Sequence, residues 1–256
     1  MKNMKKTLAT SALVLGFAFT GAANAAFEDF TVDETSNGLG GAGTVSADKV
    51  NGGYSEVISF DGLGNFATQA VADFGQFFSN EGGTLESSDL NNTYAMYALF
   101  SATGTVNNPG VGLTGFNGTS GGFDLYLDPN QDTTKTLGAT GASATTLGAN
   151  IDDILIASTA NLFSGTGILV GGVGGFFDLV FDDLVLSAAG SNYFTSPVPF
   201  YVRTNVDGDF DNFAPVGTST LTGDVSFVFR VPEPSALALL GLGLLGVAAT
   251  RKKAKA

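Results

Sequence analysis

The sequence predicts an all-β fold, an antiparallel β-sandwich-like single domain flanked by two terminal signals. Three observations lead there. Short apolar clusters rich in aromatic and β-branched residues recur along the chain, and Gly, Asn, Asp and Ser separate them. No stretch of the body keeps a convincing 3.6-residue apolar period, so the clusters read as strands joined by frequent turns. The chain carries 22 Phe, all but Phe17 and Phe19 beyond residue 25, enough aromatic mass to build a core despite 36 Gly.

In chain order, residues 1–25 have the three parts of a secretory signal peptide. Lys2, Lys5 and Lys6 form a basic front, Leu8–Phe19 an apolar stretch, and Ala23-Asn24-Ala25 a small-x-small cleavage site. The Sec machinery and signal peptidase are the partners this implies, with cleavage between Ala25 and Ala26. The apolar stretch is short for a permanent membrane anchor.

Residues 26–230 are the exported acidic β domain. Strands are expected at Tyr54–Phe60, Tyr94–Phe100, Gly122–Leu127, Ile151–Ala157, Phe176–Leu186, Phe200–Val206 and Asp224–Val231. In the last, Val225, Phe227, Phe229 and Val231 alternate with Ser226, Val228 and Arg230, which marks one face as buried. Phe177, Leu179 and Phe181 alternate with Asp178 and Asp182, and Asp183 breaks the phase, as at a bulge or strand end. The Gly/Thr/Asn-rich residues 104–122 and 138–150 read as long loops.

Residues 231–256 order themselves as motif, apolar helix and basic stop. Val231-Pro232-Glu233-Pro234 comes first, then the Leu/Gly/Ala-rich stretch Ser235–Thr250, then Arg251, Lys252 and Lys253. As a helix the stretch spans roughly 24 Å at ~1.5 Å per residue, short for a ~30 Å hydrocarbon core but serviceable with snorkelling flanks. The basic cluster stays cytoplasmic, which leaves the body outside. This tripartite end resembles the PEP-CTERM sorting signal of Gram-negative bacteria. The resemblance implies that an exosortase, a membrane cysteine protease, recognises Pro232, Glu233 and Pro234. The protein would then be held at the inner membrane transiently and passed to the cell surface or extracellular matrix.

Composition closes several chemistries. With no His and no Cys there is no His-activated nucleophile, no thiolate, no disulfide and no His- or Cys-ligated metal. Between Ala26 and Pro234 only Lys49, Lys135, Arg203 and Arg230 stand against all 24 acidic residues, a formal balance of −20. Such a surface repels nucleic acid and suits divalent cations or basic partners.

Calcium is the one cofactor the residues invite. Asp207, Asp209 and Asp211 lie at alternate positions, the spacing of the first ligands of a calcium loop. Asn212 stands where an EF-hand needs Gly and Thr218 where it needs Glu, so an EF-hand proper is not expected. Asp128-Pro129-Asn130-Gln131-Asp132 is a second carboxylate-bearing turn, read as ordinary turn chemistry. The doublets Asp152-Asp153 and Asp182-Asp183 make no acid/base pair by themselves, because neighbours on a strand face opposite sides. No catalytic residue is expected.

The body also resembles a narrower family. Ala26–Val32, Gly52–Glu56, Phe74–Phe78, Leu125–Asp132, Gly174–Asp178 and Asn205–Phe213 are similar to the flocculation-associated PEP-CTERM proteins of floc-forming bacteria. The resemblance implies a non-enzymatic protein that promotes cell aggregation, in flocs or biofilm, by associating with extracellular polysaccharide. Divalent cations could join carboxylates on both sides, or Tyr54, Tyr94 and Tyr126 could meet neutral glycans. Two alternatives stay open: an extracellular glycan-active enzyme using paired carboxylates, and a self-associating structural subunit of the matrix.

Overall fold

The computed structural model describes residues 27–198, 200 and 203–230; both terminal signals lie outside these residues. Among the described residues no helix is long and apolar enough to cross a membrane. The elements in chain order are β1 (Phe30–Asp33), β2 (Thr44–Ala47), β3 (Lys49–Phe60), β4 (Asn65–Ser79), β5 (Thr84–Leu85), β6 (Ala95–Gly110), β7 (Leu113–Asp128) and β8 (Thr134–Thr136). There follow β9 (Thr146–Gly148), β10 (Ile154–Thr159), β11 (Asn161–Val170), β12 (Gly174–Asp182), β13 (Val185–Leu186), helix α1 (Ala188–Tyr193), β14 (Phe194–Ser196), β15 (Arg203–Asp211) and β16 (Thr218–Arg230).

The antiparallel all-β architecture expected from the sequence is present, and its main sheet curls until it closes. Going round, β3, β4, β6, β7, β11, β12, β15 and β16 each pair antiparallel with the next, and β16 pairs back onto β3. The two faces of the body are therefore opposite walls of one barrel. Along β7 the partner changes: residues 113–118 pair with β11, while 123–127 pair with β10. β10 and β11 thus act as two halves of one long bent strand.

Alternation decides what goes inside. On β16, Leu221, Val225, Phe227 and Phe229 are buried while Thr222 and Asp224 are not, so the apolar phase lines the barrel. A register shift between Asn51 and Gly52 leaves Gly75 as an extra residue on β4. Phe74 and Phe77 can then both enter the core. Asp183 does end a strand, with φ 56° just after β12.

Residues 104–122 correct the reading of a long loop. They are the outer half of the β6–β7 hairpin, which turns only at Val111-Gly112. Their glycines serve close contact between strands. Gly118 faces Gly165 across the β7–β11 pair, and a Cβ on Gly118 would sit 3.0 Å from Leu162 and 3.2 Å from the Gly165 Cα.

One barrel end is plugged by aromatic rings. β1, β2 and β14 form a small antiparallel sheet over it, beside α1, whose N-cap Ser187 accepts a hydrogen bond from Gly190 N. The Phe30 ring meets Phe77, Phe194 and Phe229 edge-on at 5.0–6.1 Å, contacts worth about 0.5–1.5 kcal/mol each beyond burial. Against the outer wall lies the segment carrying β8 and β9. Gln69 donates to Thr140 O (2.8 Å) and accepts from Thr145 Oγ1 (2.6 Å), while Lys135 reaches Asp73 at 2.8 Å.

Candidate functional site

The outer face across β12, β15 and β16 is a field of carboxylates. On β15, buried Val206 and Phe210 alternate with Asp207, Asp209 and Asp211, so all three acids project outward from one strand. Register sets Asp178 opposite Asp207, and the Asp224 amide donates to Asp209 Oδ1 at 2.9 Å. Alternate residues of a strand stand roughly 6.7 Å apart, too far for three side chains to enclose one ion as a tight turn would. The spacing of a calcium loop and the period of a strand coincide in this stretch, and the strand forms. Among the described residues, the carboxylate oxygens that converge within 4.8 Å belong instead to Asp128, Asp132 and Asp152.

The remaining sequence candidates divide. Asp153 accepts from the Tyr97 hydroxyl and from Thr133 Oγ1 (2.6 Å), and the Asp152-Asp153 doublet lies just before β10, not on the strand. Tyr54 and Tyr94 are core residues: the Tyr54 hydroxyl donates to Asp209 O at 2.8 Å, and the Tyr94 hydroxyl donates to Glu34 Oε1 at 3.0 Å. They are closed to a glycan. Tyr126 stacks on Tyr97 with ring centres 5.1 Å apart, and Lys135 lies 4.4 Å from the centre of the Tyr97 ring. Among the described residues, the large aromatics most exposed are Phe163 and Phe176, neither of which was a candidate glycan contact in the sequence.

Inside the barrel is one acid that the sequence reading passed over. Glu56 faces the interior beside a cavity of about 50 Å³ lined by Ile58, Phe66, Phe100, Phe116 and Leu179. The Thr68 hydroxyl donates to its Oε1, and burial pushes the carboxyl up to about 7. The signal was present in the alternation: Tyr54, Glu56, Ile58 and Phe60 share one phase, and Glu56 is the polar member of an apolar row. The cavity has room for a few waters at ~10–15 Å³ each. No second acid lines it, so it holds no acid/base pair.

Beyond the last strand, residues 230–253 match the family model of the PEP-CTERM protein-sorting motif. The chain carries a PEP-CTERM sorting motif. The match starts at Arg230, the last residue of β16, and covers Pro232, Glu233 and Pro234, which lie outside the described residues with Arg251, Lys252 and Lys253. The PEP-CTERM motif marks an exported protein, transiently anchored in the membrane and processed by an exosortase. No curated protein and no solved structure matches the chain. Ala23, Ala25 and Ala26, expected to mark signal-peptide cleavage, also lie outside the described residues.

Proposed function

We propose that the exported barrel is a non-enzymatic surface or matrix protein that promotes cell aggregation by associating with extracellular polysaccharide. The observation that carries this reading is the carboxylate face of β12, β15 and β16, on a body that the sorting motif delivers to the exterior. A body with a formal charge of −20 is repelled by an acidic polymer until divalent cations sit between them, and Asp207, Asp209 and Asp211 form a row suited to such contacts. The row holds carboxylates apart, which favours shared, exchangeable ions over a closed cage.

The two rival readings find less support. A glycan-active enzyme needs two facing carboxyls beside a groove; the interior cavity offers Glu56 alone, and the open surface groove lined by Asp209, Asp211 and Asp224 is where such a pair would have to be sought. A subunit that self-associates through strand edges needs long free edges, and closure of β16 onto β3 pairs the long strands of the ring on both sides, leaving the two-residue strands β5 and β13 at its margins.

The test is settling of a deletion strain, with exopolysaccharide quantified in the same culture and the wild-type gene restored in parallel. Settling should be lost at unchanged polysaccharide output and return on complementation. Persistent settling would sink the aggregation reading.

A further inference from the structure

We propose that Asp128, Asp132 and Asp152 hold a calcium ion that fastens the segment between β7 and β10 to the barrel. This inference goes beyond the matrix reading, since such an ion would be structural whether or not the protein binds polysaccharide.

The register of the sheet builds the site. Leu127 at the end of β7 pairs with Ile154 at the start of β10, so the 25-residue excursion 129–153 leaves and returns at one place. Asp128 and Asp132 guard the exit and Asp152 the return. One oxygen from each lies within 4.8 Å of the others. Two oxygens bound to one calcium at ~2.4 Å cannot be farther apart than about 4.8 Å, and the three carboxylates meet this necessary condition for sharing one ion.

A second observation points to a ligand independently of the cluster. Oδ2 of Asp152 is shielded from solvent and has no hydrogen-bond partner among the described residues. A buried carboxylate oxygen without a donor costs about 1–3 kcal/mol or more, and a cation is the partner that removes this cost. Thr133 and Lys135 direct their donors to groups other than Asp152. Asp128, only 1% exposed, accepts from the Thr133 amide at 3.0 Å, and Thr133 Oγ1 donates to Asp153. The segment's single basic residue, Lys135, is bonded to Asp73. Three carboxylates thus meet with no basic side chain of their own segment to balance them.

The donor set selects the ion. Oxygen alone is offered, from carboxylates, in a chain without His or Cys, which favours a hard divalent cation over zinc or copper. Asp128, Asn130 and Asp132 have the alternate spacing of the first three calcium-loop ligands, and Asp132 and Asn130 are open to solvent, so water can complete a shell of six to eight at ~2.3–2.6 Å. Magnesium's stricter octahedron at ~2.0–2.1 Å fits carboxylates on two separate chain segments less readily.

The experiment uses the full chain, purified in detergent and freed of divalent ions with EGTA, then titrated with calcium chloride alone. Calorimetry should show one saturable site, and calcium should raise Tm by several degrees and protect residues 129–153 from limited proteolysis. Asp132→Asn, at an exposed position where folding is not in question, and Asp152→Asn should each weaken binding at least tenfold. Asp211→Asn should leave it unchanged. Without calcium, Asp152→Asn should melt no lower than wild type, because an amide relieves both the orphaned oxygen and the like-charge contact; a purely structural carboxylate would give the opposite sign. Absence of saturable binding at millimolar calcium, or binding unaltered by Asp132→Asn, overturns the proposal.

Discussion

Glu56 is the residue whose chemistry the fold most alters. Its carboxyl sits among apolar side chains with one hydroxyl donor, and burial raises it from an ordinary 4.5 to about 7. The folded state therefore holds the proton more tightly than the unfolded chain. The stability this contributes is full below about 4.5 and is lost as pH rises through about 7, a loss of about 3 kcal/mol at most. Glu56→Gln should flatten the decline in Tm between those limits and leave the variant the more stable at pH 8, as thermal melts across that range would read. Equal pH slopes for variant and wild type would place the titrating group elsewhere. Tyr54 and Tyr94 teach a related lesson: a tyrosine in a strand is apolar body and polar tip together, and only the packing decides whether the tip meets solvent or a buried acceptor.

At the scale of elements, legibility followed side-chain size. β16 and β12 were readable because Phe, Val and Leu alternate cleanly with polar residues. β4 and β11, and the outer half of the β6–β7 hairpin, were not. Their inward positions include Ala, Thr and Gly, chosen by the narrowness of the barrel, and small residues carry little periodic signal. The same narrowness makes those glycines sensitive. A Cβ on Gly104 would lie 2.1 Å from the Asn117 carbonyl oxygen, at the bulge where β6 and β7 shift register. Gly104→Ala should cost about 1–3 kcal/mol in a denaturant titration. Gly43→Ala, with nothing within 4 Å of the added carbon, should stay within about 0.5 kcal/mol. The converging acids were illegible for another reason: Asp152 is distant from Asp128 in sequence, and only the β7–β10 register joins them.

For the whole molecule, sequence alone assigned the ends and structure alone showed how the body closes. The sorting motif is compact and ordered by type, so its reading needs no fold, and the family match at residues 230–253 agrees with it. Processing should depend on the rigid box: in a strain carrying Pro232→Ala together with Pro234→Ala, the protein should accumulate in the inner-membrane fraction at its unprocessed mass. Release at the wild-type rate would show that the prolines are not read. Closure, by contrast, rests on β3 meeting β16 across most of the chain, a pairing that no local pattern announces.

That pairing also sets an order of events. The strand that seals the barrel is the last to be synthesised and ends at Arg230, where the sorting motif begins. Until β16 is available, the sheet built from the earlier strands keeps open edges at β3 and β15. Pairing of β3 with β16 within one molecule therefore competes with pairing of the same edges between neighbouring molecules. A chain released after β16 joins β3 carries its long strands paired on both sides, whereas one released before would carry two long sticky edges into the space between cells.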